Sequence, residues 1–273
     1  MQPELFDRFS RLAYAKAGIS LKRGKEALVT ARVTKRMRAL QLENPSDYLR
    51  YLEEEDRGDE LLRFLDVIST HFTSFFREPD HFEDLRAALE GWVAEGRNRI
   101  RLWSAACSTG EEPWSMAMVA GAVPGLDRVD WKILATDIAA DTLAQAEAGR
   151  YGAERVEPVP APLAKRFLAR QRGEKGEVYA VADALRDKVV FRRLNLTQPP
   201  FPMAGPFDAV FCRNVFIYFD QPTRQRVVES IEALLRPGGL FLLGHTETLN
   251  AIRTNLRMVR PSVFRLSAGG TAR

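Results

Sequence analysis

Arg99-Ile100-Arg101-Leu102-Trp103-Ser104-Ala105-Ala106-Cys107-Ser108-Thr109-Gly110-Glu111-Glu112-Pro113-Trp114 changes character twice within sixteen residues. An apolar run through Ile100, Leu102, Trp103, Ala105 and Ala106 stops at the small-residue turn Ser108-Thr109-Gly110. Glu111, Glu112 and Pro113 then open a segment whose apolar residues, Met116, Ala117, Val119 and Ala120, recur at helical spacing. Strand, tight turn, helix is the layout by which doubly wound α/β folds hold nucleotide-type ligands. The charge at this turn is unusual for such a site. A phosphate cradle presents bare N–H groups and often a Lys, whereas this turn carries two carboxylates and no cation. It suits a ligand with cationic parts, and S-adenosylmethionine, with a sulfonium and an ammonium, is one.

Working outward, residues 99 onward alternate between strand and helix patterns. Strands are expected near 99–107, 131–137, 188–195, 207–213 and 239–245, and helices near 112–122, 139–149 and 221–236, the signature of a parallel sheet built from βαβ units. Residues 151–187 interrupt the alternation with a Pro-rich stretch, a helix over 163–171, a turn at Gly173-Glu174-Lys175-Gly176 and a short alternating run over 178–181. They read as a small inserted subdomain. Residues 258–267 read as a final hairpin strand. The first 90 or so residues are helical in pattern. Within them Val29, Val33, Met37 and Leu40 fall on one arc of a helix over 25–40, and Lys25, Arg32, Lys35 and Arg36 fall on another. Seven cations face only Glu26 between residues 22 and 40. This face is expected to point outward and meet an acidic partner; a solvated face is the plainer reading.

A chain of 273 residues, 45% hydrophobic and 28% charged, has the composition of a soluble globular protein of one or two domains. No apolar run approaches the ~20 residues of a membrane span, and Met1-Gln2-Pro3-Glu4 is not the start of a signal peptide. Two cysteines, Cys107 and Cys212, make no disulfide framework and fit a reducing cytosol as buried thiols. Three histidines without ligand spacing give no expectation of a metal site. A net charge of +4 does not by itself call for nucleic acid.

Asp137 ends the second expected strand, where such folds hold a ribose hydroxyl pair; capping the next helix is its other reading. Thr109-x-x-Glu112 has the form of a capping box, which is compatible with ligand contact by Glu112. Arg213-Asn214 closes the apolar strand Phe207-Asp208-Ala209-Val210-Phe211-Cys212, placing two polar side chains at the sheet's carboxyl edge. Tyr218 follows, either as core or as site. Arg77, after Phe75-Phe76, stands at the junction of the two regions, with Glu78 as an ion-pair alternative.

Together Thr73-Ser74-Phe75-Phe76-Arg77-Glu78, Trp103-Ser104-Ala105-Ala106, Ser108-Thr109-Gly110-Glu111-Glu112-Pro113, Asp137-Ile138, Asn195-Leu196, Phe211-Cys212-Arg213-Asn214, Ile217-Tyr218-Phe219-Asp220 and Gly244-His245-Thr246-Glu247 resemble the chemotaxis receptor methyltransferases, over roughly residues 5–267. The resemblance implies an α/β, Rossmann-like methyltransferase domain (91–273, with 151–187 an inserted antiparallel β-subdomain) behind a small all-helical receptor-docking domain and linker (1–90). It implies cofactor contacts at His71, Thr73, Arg77, Glu112, Asp137, Asn195, Leu196, Arg213 and Asn214, with Arg77 and Tyr218 beside the transferred methyl. His71 stands where the family usually has Asn; an imidazole also hydrogen-bonds. Lys25, Arg32, Lys35 and Arg36 would face the acidic methylation region of a receptor's cytoplasmic domain. The implied enzyme is a cytoplasmic monomer recruited to receptor arrays, converting S-adenosylmethionine to S-adenosylhomocysteine while forming γ-glutamyl methyl esters in signalling adaptation.

Two alternatives stand beside it. One is a non-catalytic module that binds S-adenosylmethionine or S-adenosylhomocysteine. The other is a nucleic-acid methyltransferase, prompted by the basic pI of 9.2 and by Gln198-Pro199-Pro200-Phe201. That tetrapeptide is close to an Asn/Asp-Pro-Pro-aromatic motif but precedes the strand it should end.

Overall fold

The computed structural model describes residues 1–56, 58–69, 72–173 and 176–267. Helices α1 (Pro3–Ala17), α2 (Glu26–Ala39), α3 (Pro45–Arg50) and α4 (Asp59–Ile68) enclose one apolar cluster around Phe6, Phe9, Val33, Tyr48 and Phe64. α2 buries Val29, Val33 and Met37 as the periodicity requires, while Leu40 is the helix's C-cap and stays half-buried. Helix α5 (Asp80–Ala94) behaves differently. Its stripe of Phe82, Leu85, Leu89 and Trp92 packs into the core of the sheet, so the two cores part near residue 70, inside the stretch expected to hold the helical domain and its linker. Among the described residues no helix is long and apolar enough to cross a membrane.

The alternating region opens with β1 (Arg99–Ser104), α6 (Glu111–Ala122), β2 (Asp130–Asp137) and α7 (Ala140–Ala148). It is interrupted by β3 (Arg150–Gly152), α8 (Ala153–Val156), α9 (Ala161–Phe167), β4 (Leu168–Gly173), β5 (Gly176–Val181) and α10 (Asp183–Arg186). It resumes with β6 (Val189–Arg193), β7 (Phe207–Phe211), α11 (Gln221–Glu232) and β8 (Leu235–Leu242), and closes with β9 (Leu256–Arg260) and β10 (Val263–Leu266). The main sheet runs β6-β2-β1-β7-β8-β10-β9, parallel as far as β8, with the last two strands antiparallel. β3, β5 and β4 form a separate antiparallel sheet. The sheet order turns back between β1 and β7, and ligands of open α/β sheets sit outside the carboxyl ends of strands at such a switch point.

Several boundaries differ from the pattern-based ones. The helix expected over 163–171 ends at Phe167, because Leu168–Gly173 is drawn into register with Gly176–Val181. The helix expected to reach 236 stops at Glu232, and Pro237 favours extended backbone at Arg236, so β8 starts at Leu235. β1 stops at Ser104 and β7 at Phe211, and Asn214, at φ 58°, turns the chain after β7. The residues after these strands are therefore loop, free to line a crevice.

Candidate active site

A cleft of about 900 Å³ opens at the carboxyl ends of β1, β2, β6 and β7. Its wall includes Thr73, Arg77, Ser108, Glu112, Asp137, Asn195, Leu196, Arg213, Asn214 and Tyr218, so every proposed cofactor or catalytic position but one meets there. The exception, His71, lies outside the described residues. Ala17 and Ile19, from the end of α1 and just beyond it, close the opposite wall.

The turn after β1 is fixed by Gly110, the N-cap of α6, at φ 97°. A Cβ there would stand 2.7 Å from the Tyr151 hydroxyl and 2.8 Å from Ala146 Cα, so this position admits glycine. The capping box does not form. Thr109 Oγ1 donates to Glu111 Oε2 at 2.8 Å and receives Arg155 at 2.6 Å. Glu111 is fully buried in that ion pair and faces away from the cleft.

Glu112 faces the cleft but is not a bare carboxylate: Ser104 Oγ donates to Oε1 at 2.7 Å and Arg213 Nη1 to Oε2 at 3.0 Å. Burial pushes its carboxyl up, opposed by Arg213 and the Ser104 hydroxyl. Arg213 is itself buried over the rings of Phe82 and Phe211 and reaches Glu78 Oε2 at 2.9 Å and the Arg77 carbonyl. Burial alone would raise the Glu78 carboxyl, yet Arg213, with bonds from the His245 backbone and Asn214, holds it below the usual carboxylate range. The two turn carboxylates that the sequence suggested were uncompensated are each paired, Glu111 with Arg155 and Glu112 with Arg213. The Arg77–Glu78 alternative is also redirected: Glu78 turns to Arg213, while Arg77 Nη1 donates to the Phe72 carbonyl at 2.8 Å and its guanidinium lies 5.4 Å from that ring's centre.

Asp137, at the end of β2, accepts from Ser108 N–H at 2.8 Å and Ala139 N–H at 3.1 Å, tying two loops together at the cleft floor. Asn195 donates to the Lys16 carbonyl at 2.8 Å and accepts from Thr197 N–H at 3.0 Å, so its amide already bridges to α1. The stretch carrying Asn214 and Tyr218 is held by a residue to which the patterns assigned no role. Glu247 accepts from Asn214 N–H (2.7 Å), Phe216 N–H (2.7 Å) and Gly244 N–H (2.8 Å). Burial raises its carboxyl and these N–H groups oppose the rise. Its place in the Gly244-His245-Thr246-Glu247 motif was its only signal in the sequence. His81 is fully buried next to this region, and burial, then the Arg213 charge, push its imidazole down to about 4.

Two other expectations are corrected. Arg36 does not face outward: its guanidinium forks onto Glu60 at 2.8 and 2.7 Å inside the helical cluster, and Tyr48 donates to the same carboxylate at 2.8 Å. Arg32 donates to the Ser69 carbonyl at 2.8 Å. Lys25 and Lys35 remain exposed. Gln198-Pro199-Pro200-Phe201 is away from the cleft, with Phe201 packed edge-on against Trp103 at 5.8 Å.

Residues 71–264 match the family model described as CheR methyltransferase, SAM binding domain, and residues 4–69 match CheR methyltransferase, all-alpha domain. The chain belongs to the CheR methyltransferase family. It is 40% identical to chemotaxis protein methyltransferase 2 of Pseudomonas aeruginosa over 261 residues, covering 96% of this chain and 92% of that one. It is 36% identical to the chemotaxis protein methyltransferase of Escherichia coli over 262 residues, covering 96% and 90%. A solved DhpI–SAH complex overlaps weakly, at 18% identity and a TM-score of 0.35, covering 88% of this chain and 79% of that one.

The cofactor of this CheR methyltransferase is S-adenosylmethionine, and one feature of the cleft fits it independently. The Ser108 hydroxyl is buried and has no hydrogen-bond partner among the described residues, yet Ser108 lines the cleft. An orphaned buried hydroxyl costs about 1–3 kcal/mol unless something satisfies it, and a ligand rich in hydroxyl and amino groups would. Carboxylates at Glu112 and Asp137 supply the acceptors that an ammonium and a ribose require.

Proposed function

We propose that this CheR methyltransferase esterifies glutamate side chains on the cytoplasmic domain of chemoreceptors, forming γ-glutamyl methyl esters. The supporting observation is the gathering of Arg77 and Tyr218 with Glu112 and Asp137 in one cleft whose described lining contains no histidine. When bound, S-adenosylmethionine supplies an electrophilic methyl group. A glutamate carboxylate has an ordinary pKa near ~4.3 and is ionised at neutral pH, so no general base is needed to activate it. What this leaves to the protein is positioning and exclusion of water, for which effective molarity can contribute as much as ~7–11 kcal/mol.

In this reading Asp137 holds the ribose hydroxyls and Glu112, with Arg213 behind it, the methionine ammonium. Ser108, Thr73, Asn195, Leu196 and Asn214 complete the cofactor wall. Arg77, steadied by the Phe72 carbonyl and ring, orients the incoming carboxylate together with Tyr218. A full bidentate Arg77–carboxylate pair would blunt the nucleophile, and the bond to Phe72 limits that. Residues 1–70 serve receptor docking, through Lys25 and Lys35.

The test uses methyl-labelled S-adenosylmethionine with receptor-bearing membranes, followed by alkali. Volatile methanol is expected from wild type, with turnover at saturating cofactor falling at least tenfold in Arg77→Ala and Tyr218→Phe and S-adenosylhomocysteine affinity changing less. Alkali-stable label would overturn ester formation, and undiminished turnover in either variant would remove that residue from the reacting centre.

A further inference from the structure

We propose that Glu78, His81 and His245 form a divalent-metal site, with zinc the ion their donors suit. The sequence gives no hint of it, since the third ligand is far from the first two and arrives only through the fold. Glu78 precedes α5, His81 is in its first turn, and His245 follows β8. One ligand atom from each lies within 4.8 Å of the others.

Ser262 Oγ has one proton and donates it to the Pro261 carbonyl at 2.7 Å. In that arrangement Ser262 Oγ accepts from His81 Nε2 at 2.7 Å, the tautomer with the ring proton on Nε2. The neutral ring then presents the lone pair of Nδ1, an atom that is buried and has no hydrogen-bond partner among the described residues. What it faces is Glu78 Oε2 at 3.4 Å. Two electron-pair donors opposed beside a fully buried imidazole are unfavourable, and a cation between them removes the conflict. The spacing fits one: two ligands about 2.0–2.1 Å from a tetrahedral zinc lie roughly 3.3–3.4 Å apart.

His245 supplies the third position. Its Nε2 is held by the Asp80 carboxylate at 3.0 and 3.2 Å, leaving Nδ1 for the ion. A carboxylate on the non-ligating nitrogen is how metal-bound imidazoles are oriented. The His81 and His245 rings meet edge-on with centres 4.9 Å apart. The His245 side chain is 47% exposed, which gives an ion a way in from solvent. Two imidazoles and one carboxylate, with a fourth position open to water, form a zinc donor set, whereas calcium and magnesium favour all-oxygen shells. The site is separate from the cleft but touches it: Glu78 Oε2 also receives Arg213. That competition sets the affinity well below that of structural four-ligand zinc sites.

The test is calorimetric titration and equilibrium dialysis of zinc chloride into chelator-stripped full-length protein. One ion per chain is expected, with cobalt giving the visible absorption of tetrahedral coordination. His245→Ala changes a half-exposed side chain and should fold; it is expected to lose at least tenfold in zinc affinity. Asp80→Asn, which keeps all three ligands, is expected to lose about tenfold through its effect on His245. Substoichiometric binding by wild type, or equal affinity in wild type and His245→Ala, would overturn the site.

Discussion

At the scale of single residues, the cleft depends on partners that sequence patterns do not encode. The sequence marks Arg213 and Glu112 as polar residues at strand and helix ends, and both do line the cleft. It does not say that they are bonded to each other, since such pairing depends on which loops meet. Arg213 is the only cation in contact with both Glu78 and Glu112 among the described ion pairs. Removing it as Arg213→Met should cost about 3–5 kcal/mol in chemical denaturation, because the buried Glu112 and the half-buried Glu78 lose their counter-charge. Adding Glu112→Gln should recover part of that loss, and strict additivity would mean that the pair does not couple. Ser108 makes the opposite prediction. Its hydroxyl has no partner to lose among the described residues, so Ser108→Ala should leave the apo melting temperature unchanged or slightly higher. S-adenosylhomocysteine should bind about fivefold to tenfold more weakly, the value of one hydrogen bond. Unaltered affinity would show that the cofactor leaves this hydroxyl unpaired.

At the scale of elements, strand–turn–helix at residues 99–122 and the parallel strands were legible because buried parallel strands are nearly continuous apolar runs; β7 is buried at all five positions. β4 was not legible. Residues 163–171 keep an apolar spacing that a helix can also use, and only pairing with β5 decides between them. The same limit explains α2. Periodicity located its buried stripe correctly but could not show that Arg36 bends inward to Glu60, which depends on α4 lying alongside. That cluster has a pH signature. Burial first, and then the Glu60 charge, raise the Tyr48 hydroxyl well above its usual value near ~10. The unfolded chain releases this proton near ~10 and the folded one does not, so the folded state binds more protons above that pH. Stability from Tyr48 is thus complete below ~10 and lost as pH rises beyond it. Denaturant midpoints of wild type should fall more steeply from pH 9 to 11 than those of Tyr48→Phe, and parallel falls would place Tyr48 outside the linkage.

At the scale of the molecule, the helical cluster and the sheet meet at the cleft itself. Ser20 N–H donates to the Tyr218 carbonyl at 2.9 Å, Tyr14 donates to Asp220 at 2.5 Å, and Ala17 and Ile19 form cleft wall. These contacts join residues about two hundred positions apart, beyond the reach of local patterns. In the proposed docking they would bring a receptor close to Arg77 and Tyr218, so the outward charge of the helical cluster should bear on turnover. Arg36 cannot serve that purpose: reversing it would strand Glu60 and cost about 3 kcal/mol or more in folding. Lys25 and Lys35 are exposed, and neither lines the cleft. Their exposed positions make a stability loss beyond about 0.5 kcal/mol unexpected on substitution. Complementary surface charge acts chiefly on encounter rate and weakens with salt, over a Debye length of about 8 Å at physiological ionic strength. The double variant Lys25→Glu/Lys35→Glu should therefore methylate receptor membranes severalfold more slowly at low salt, approach the wild-type rate at high salt, and bind S-adenosylhomocysteine unchanged. Initial rates across a salt series, with calorimetry for the cofactor, read all three. A variant as fast as wild type at low salt would leave these lysines solvated and assign receptor recognition to the cleft mouth, where Phe72 stands 73% exposed beside Arg77.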